Sequence, residues 1–413
     1  MASSPRRLVI PKAATRWNVH RFDQMAHLVN DRVYKPADSG VERYVGLEHL
    51  DPDSLRIHRW GEITDVESTK LRFQPGDIIF GKRRVYQRKV AVADFEGICS
   101  AHAMVLRARP DVVLPEFLPL FMQSDRFMER ALEVSVGSLS PTINWTTLAR
   151  EEFTLPPIDE QRHLVGALHA ALAVKERLYE TELALGSAEY ALLKTRFGAT
   201  YHQPAANVPL VALSELADIR TGLAKGRRPD EATTTRPYLS VANVKDGYLD
   251  LTEVRDIVVD RDKVDRYALK HGDVLMTEGG DLDKLGRGTV WQEQIPECLH
   301  QNHIFAARVD MAQLDPWYLA ALARSPYGRS YFLRCAKRSS NLASVNKGQV
   351  SALLVPLHPL AEQKEWLRSY SELRRVLATT IQRRVMIHAM MKEILEANTN
   401  GVHGIQHGRS THT

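Results

Sequence analysis

Cysteine is scarce in this chain, with three among 413 residues: Cys99, Cys298 and Cys335. Three cannot build a disulfide framework, and so low a number fits a reducing cytoplasm. No apolar run approaches the roughly eighteen residues that a membrane span requires, so no such span is expected. The first eleven residues carry arginines without an apolar stretch, and no secretory leader is expected there. Phosphate cradles are missing as well. There is no Gly-x-x-x-x-Gly-Lys-Ser/Thr, and Gly279-Gly280 with Gly286 and Gly288 does not follow the dinucleotide spacing.

Catalytic patterns are equally thin. Asp77 and Asp273 stand at strand starts, but neither is followed closely by the acid-x-Lys triplet of a metal-dependent nuclease. They read better as turn residues before a buried strand. No nucleophile elbow supports Ser/His/Asp chemistry. Cys99-x-x-His102 and Cys298-x-His300-x-x-His303 invite zinc, yet they fall in different halves and neither supplies four ligands. The expectation is no metal, no cofactor and no catalytic centre.

The composition is that of a globular protein, 44% hydrophobic and 25% charged, with a net charge of +5. Two stretches organise it. From Ile158 to Phe197 the chain runs without proline, and Leu164, Leu168, Leu172, Leu178, Leu183 and Leu193 recur near helical spacing. After Pro359, Trp366, Tyr370, Leu373, Leu377, Ile381, His388, Met391 and Leu395 follow a coiled-coil seam. Each helix begins with a proline and a Glu-Gln pair, at Glu160-Gln161 and Glu362-Gln363.

That pairing is one part of a duplication. Tyr238 answers Tyr44 at a shift of 194, and Gly272-Asp273 answers Gly76-Asp77 at 196. His303 with Arg308 answers His102 with Arg107 at 201, and Asn346 answers Asn144 at 202. The shift grows slowly and in one direction, as in tandem domains. Short apolar runs at Tyr44–Leu47, Asp77–Phe80, Val90–Ala93 and Ala103–Leu106 read as strands in the first copy, with a helical piece over Pro115–Leu132. The expected boundaries are 1–157 for the first domain and 158–197 for its helix. A linker at 198–209 leads to the second domain at 210–357, its helix at 358–398, and a disordered tail at 399–413.

Charge is concentrated. Lys82, Arg83, Arg84, Arg88 and Lys89, with Tyr86 and Gln87, lie between two strand candidates without an acid among them. In the second copy Arg220, Thr221, Lys225, Arg227 and Arg228 form another basic stretch, at a different place in the repeat. Arginine and glutamine can pair with base edges, and lysine holds phosphates. The polar loops 138–144 and 339–346 recur just before the helices. Ser138, Ser140 and Asn144 in one, and Ser339, Asn341 and Asn346 in the other, can bond DNA or cap the following turn.

Taken together, these features resemble the specificity (S) subunit of type I restriction–modification systems over roughly residues 16–398. The resemblance rests on the domain–helix–domain–helix order, the paired Glu-Gln helix starts, the Gly-Asp strands at Gly76 and Gly272, the run from Phe80 to Val90, and Gly97–His102. It departs at Thr277-Glu278-Gly279-Gly280-Asp281, where the second copy lacks the basic run. The resemblance implies an α+β fold of two tandem target-recognition domains, separated by two long antiparallel coiled-coil helices in a pseudo-two-fold repeat. It implies a non-catalytic subunit that reads a bipartite site in double-stranded DNA. It also implies partners: two methyltransferase subunits and, in the full complex, restriction subunits. A helix of about 37 residues is roughly 55 Å long, long enough to act as a ruler for the gap in a split site. A protein-interaction scaffold built on the helices, and a metal-dependent enzyme using the Cys/His pairs, are the rival readings.

Overall fold

The structure is a computed structural model that describes residues 17–280, 285–338 and 343–397. The basic lead-in 1–15, the tail 399–413, Ser339 and Asn341 lie outside the described residues. The fold is mixed α and β, and the described chain divides into two compact units. One contains residues up to Leu178 together with those from Arg383 onward, and the other is Tyr179–Gln382.

In the first unit a four-stranded sheet runs in the order Ala26–Val29, Ala103–Ala108, Ile78–Gly81, Val90–Val92, with antiparallel neighbours. The second unit repeats it as Ala217–Thr221, Ile304–Val309, Val274–Thr277, Gly288–Val290. Registers repeat as well. Met104 faces Phe80 in one unit, and Phe305 faces Met276 in the other. Each unit also pairs two strands in parallel, Tyr44 facing Ile98 and Tyr238 facing Leu299. These partners carry the shifts seen in the sequence, so the repeat extends to individual hydrogen-bonded neighbours. The second sheet differs, with five strands in the first unit and three in the second.

Asp77 and Asp273 do more than make turns. Each carboxylate accepts a backbone N–H three residues earlier, from Gln74 and Lys270. Each also takes a two-pronged bond from an arginine on the neighbouring strand, Arg107 at 2.7 and 3.0 Å and Arg308 at 2.8 and 2.6 Å. Both carboxylates are 1% exposed, and a buried charge is tolerable only when paired in this way.

The long helices span Ile158–Phe197 and Leu360–Ala397. Gly166 and Gly186 do not break the first, and a Cβ at either would meet nothing within 4 Å. The buried face of this helix is not wholly apolar. Lys175 and Glu189 are buried in it, whereas Leu183 is more than half exposed. In the second helix, strict three-four alternation from Tyr370 through Leu373 and Leu377 lands on Thr380 rather than Ile381. Thr380 is 7% exposed and Ile381 37%, so Ile381 leaves the expected seam. Within the second unit the helix segments run antiparallel. Glu189 meets Tyr370 and Arg374, and eight residues further along Phe197 meets Trp366. In the first unit Lys175 meets His388, and Leu164 and Leu168 share a core with Met391 and Leu395.

The Glu-Gln motif has a structural cause. Gln161 is buried at the start of its helix. Its Oε1 accepts from Leu114 N at 2.9 Å, and its Nε2 donates to the carbonyls of Pro156 and Val112. Gln363 makes the same three bonds, to Asp315 N, His358 O and Gln313 O. Truncating either amide strips partners from three backbone groups, each worth about 1–3 kcal/mol if buried and unsatisfied. Gln161→Ala and Gln363→Ala are each expected to destabilise by about 3 kcal/mol, read as a lowered urea midpoint; a large difference between the two would contradict their equivalence.

Candidate nucleic-acid interface

In the first unit the basic run does not form a free hairpin tip. Lys82 N donates to His102 O, and Ile143 N donates to Lys82 O. Arg83 bridges Thr142, and its Nε donates to Ser140 Oγ at 2.9 Å. Arg84 N donates to Pro141 O at 2.7 Å. The polar loop before the helix is thereby knitted along the basic run, and two sequence-predicted sites become one edge.

A short helical turn, Val85–Gln87, follows, flanked by Arg84 and Arg88 in the left-handed region at φ 56° and 54°. Non-glycine residues adopt that conformation at a cost, and here it fixes a knuckle with Val85 buried inside and Tyr86 53% exposed outside. Arg83 and Arg84 are exposed on the same edge. Arg88 turns away. Its guanidinium binds Asp53 at 2.8 Å and Asp125 at 2.9 Å, and it also donates to the Gln123 carbonyl. Lys89 likewise donates inward, to Leu47 O. Burial opposes ionisation of Asp125, but hydrogen bonds from Lys392 and Glu396 and the charge of Arg88 hold its pKa below the usual carboxylate value.

Beside this edge lies a cleft of about 410 Å³, lined in part by Lys82, Asn144, Trp145, Asn30, Arg32 and Tyr34. Asn144 precedes a helical turn without capping it through its side chain, and it is exposed. Asn30, Arg32 and Tyr34 carry no sequence signal: Arg32 opens the short strand Arg32–Val33, and Asn30 and Tyr34 flank that strand. Only the fold brings them opposite Lys82. Ser138 is exposed on the same loop, and Gln87 is partly buried in the helical turn.

The second unit answers differently. Thr221, Lys225 and Arg228 are exposed, and neither Lys225 nor Arg228 forms an ion pair among the described residues. Arg227 is paired with Asp260 and lies near Asp230. Asn346 is a helix cap, its side chain accepting from Gln349 N at 2.9 Å. That bond commits the Asn346 side chain to its helix, whereas Asn144, its mate in the repeat, makes no such cap.

The Cys/His pairs do not converge. Burial pushes the Cys99 and Cys298 thiols up to about 12, so they stay protonated at neutral pH. His300 is buried against the Tyr267 carbonyl, while His303 faces Glu278. No group of three or more His, Cys, Asp or Glu is arranged to hold a metal among the described residues. No described helix is long and apolar enough to cross a membrane.

Comparison with known proteins agrees with this architecture. Residues 53–183 match the family described as the type I restriction modification DNA specificity domain. The chain is 23% identical over 401 residues to the EcoKI type I restriction enzyme specificity subunit of Escherichia coli K12, covering 89% of this chain and 84% of that one. It is 25% identical over 162 residues to the putative MjaX specificity subunit of Methanocaldococcus jannaschii, covering 39% of this chain and 38% of that one. The solved S subunit of the type I restriction-modification system from M. genitalium has the same fold at 12% identity. The TM-score is 0.57, and the match covers 95% of this chain and 99% of that structure. The matched stretch is similar to a DNA specificity domain, and the chain as a whole is similar to the specificity subunits of type I restriction–modification systems.

One consequence concerns acid stability. Burial, only partly offset by the bond to the Tyr267 carbonyl, lowers the His300 pKa from 6.5 to about 4. Its Nε2 is buried without a partner among the described residues, so protonation is resisted in the fold and free in the unfolded chain. This contribution is fully present above pH 6.5 and is lost as pH falls toward 4. At pH 5 the loss is about 2 kcal/mol. Urea unfolding between pH 7 and 5 is expected to show it, with a visibly flatter profile for His300→Leu.

Proposed function

We infer that this chain is the non-catalytic, sequence-specific DNA-recognition subunit of a type I restriction–modification complex, acting in the cytoplasm. The observation that carries this reading is the single edge of the first unit. There Lys82, Arg83, Arg84 and Tyr86 are pinned beside Ser138, Ser140 and Asn144 at the mouth of a polar, aromatic-lined cleft. Exposed cations on a rigid edge supply phosphate affinity, while amides and a guanidinium within the cleft supply base discrimination. Arg88 and Lys89 hold that edge in shape through their inward bonds.

In this reading each globular part reads one half of a bipartite site, and methyl transfer and cleavage belong to partner subunits. The exposed cations Lys225 and Arg228, with Thr221, serve the second half-site. The test is a salt-titrated binding measurement on duplexes of random sequence. Selection of a split consensus supports the reading, and uniform binding opposes it. Arg84→Ala is expected to lower affinity and reduce the slope of log K against log salt by about one, as loss of one phosphate contact does. An unchanged slope removes Arg84 from the interface.

The helices supply the second contact. Val174 and Val385 are exposed in the first unit, and Val376 and Leu183 in the second, each at a shift of 202 from its mate. Equivalent apolar patches fit two copies of one partner, here the methyltransferase subunit. Val174→Asp, at an exposed position, is expected to reduce the complex from two methyltransferase subunits to one. Mass measurement of the purified complex reads this directly.

A further inference from the structure

Lys82 and Glu278 occupy one backbone position in the two copies. Lys82 N donates to His102 O and its carbonyl accepts from Ile143 N at 3.0 Å; Glu278 N donates to His303 O and its carbonyl accepts from Val345 N at 2.8 Å. The partners stand at the shifts of 201 and 202 that relate the copies elsewhere. At the position where the first unit begins its cationic edge, the second therefore presents a carboxylate. The exposed Arg83 and Arg84 are replaced by Gly279 and Gly280, which pair with Ser344 and Ala343.

Glu278 is not committed to the core. Its side chain is 30% exposed, and its partner is the ring of His303, itself 54% exposed, which fixes the carboxylate direction. Asp77 and Asp273, by contrast, are sealed against arginines. A carboxylate at a DNA-facing edge is repelled by phosphates, so it carries no affinity for the backbone. What it can do is accept a hydrogen bond from an exocyclic amino group, N4 of cytosine or N6 of adenine, and disfavour bases that offer only acceptors. A lysine at the same position does the opposite, donating to guanine O6 and N7.

We propose that Glu278 is a specificity-determining residue of the second unit, positioned by His303 to read an amino-bearing base edge. Its equivalent Lys82 reads acceptors in the other half-site. The inference rests on the DNA-recognition reading above and deepens it. It places discrimination in the second unit at a residue outside its basic stretch.

The experiment is selection from a randomised duplex library by the assembled methyltransferase complex, comparing wild type with Glu278→Gln and Glu278→Lys. Glu278→Lys is expected to change the preferred base at one position of one half-site, from cytosine or adenine toward guanine, by about tenfold, leaving the other half-site unaltered. Glu278→Gln is expected to relax that same position. Lys82→Glu is expected to alter one position in the opposite half-site. A wild-type consensus that survives both Glu278 variants unchanged overturns the proposal and leaves the broader reading standing. Absence of any wild-type consensus overturns the broader reading itself. If Glu278→Lys fails to assemble, the conservative Glu278→Gln decides: relaxation at one position supports base reading, and uniform change across all sequences refutes it.

Discussion

Two buried glutamines fix how each long helix leaves its domain. Gln161 and Gln363 each use one amide to hold a backbone N–H and two carbonyls from chain segments that would otherwise enter the helix independently. An amide can do this because it carries donor and acceptor on one planar group. Neither a carboxylate nor an apolar residue of the same length could satisfy both kinds of partner. The proposed reading requires an edge held at a defined place on a helix, and these bonds define the place.

The duplication then lets chemistry diverge on constant backbone. The order and register of the four-stranded sheet, the Asp–Arg pairs and the glutamine locks are the same in both units, while the second sheet and the tips differ. Where the first unit has Asp53, at φ 55°, the second has Gly247, at φ 85°. Asp53 N donates to Arg88 O, and Gly247 N donates to Gly288 O. The left-handed turn is preserved, but only the first unit gives it side chains, and these tie the basic run to Asp125 and, through Lys175 and His388, to helix segments of its own unit. The second unit reaches its helix segments through Arg324 instead, which binds both Glu189 and Asp246. A buried ion pair adds little net stability but fixes geometry. Two different ionic joints on one scaffold let the exposed edge of each unit change without disturbing its attachment.

Much of this was legible in the sequence because it follows from periodicity and from self-comparison. Strand runs, helix starts and the shifts between copies are local or translational patterns, and the structure keeps them. The failures share a cause. Ile381 fits the seam by being apolar, whereas alternation counted strictly from Tyr370 selects Thr380. Lys175 and Glu189 are not legible in the sequence because a buried charge looks like a solvated one without its partner, and those partners lie 213 and 181 residues away. Arg88 was indistinguishable from Arg83 and Arg84 by composition. Only the left-handed turns at Arg84 and Arg88, which rotate successive side chains to opposite sides, separate those on the exposed edge from the one that braces it.

The same reasoning explains why the recognition surface proposed for the second unit is the harder one to read. A search for DNA-binding residues looks for positive charge, since phosphate contact dominates affinity. Positive charge, however, says little about which base is read. Discrimination comes from matching donors to acceptors, and a carboxylate is as informative to a base edge as an arginine while being invisible to a search for basic runs. Comparing two copies of one scaffold removes that bias. A position whose backbone bonds are conserved between the copies while its charge inverts is under no structural demand to be either sign. Lys82 and Glu278 satisfy that condition, and under the proposed DNA-reading role the remaining demand on each is the base it would face.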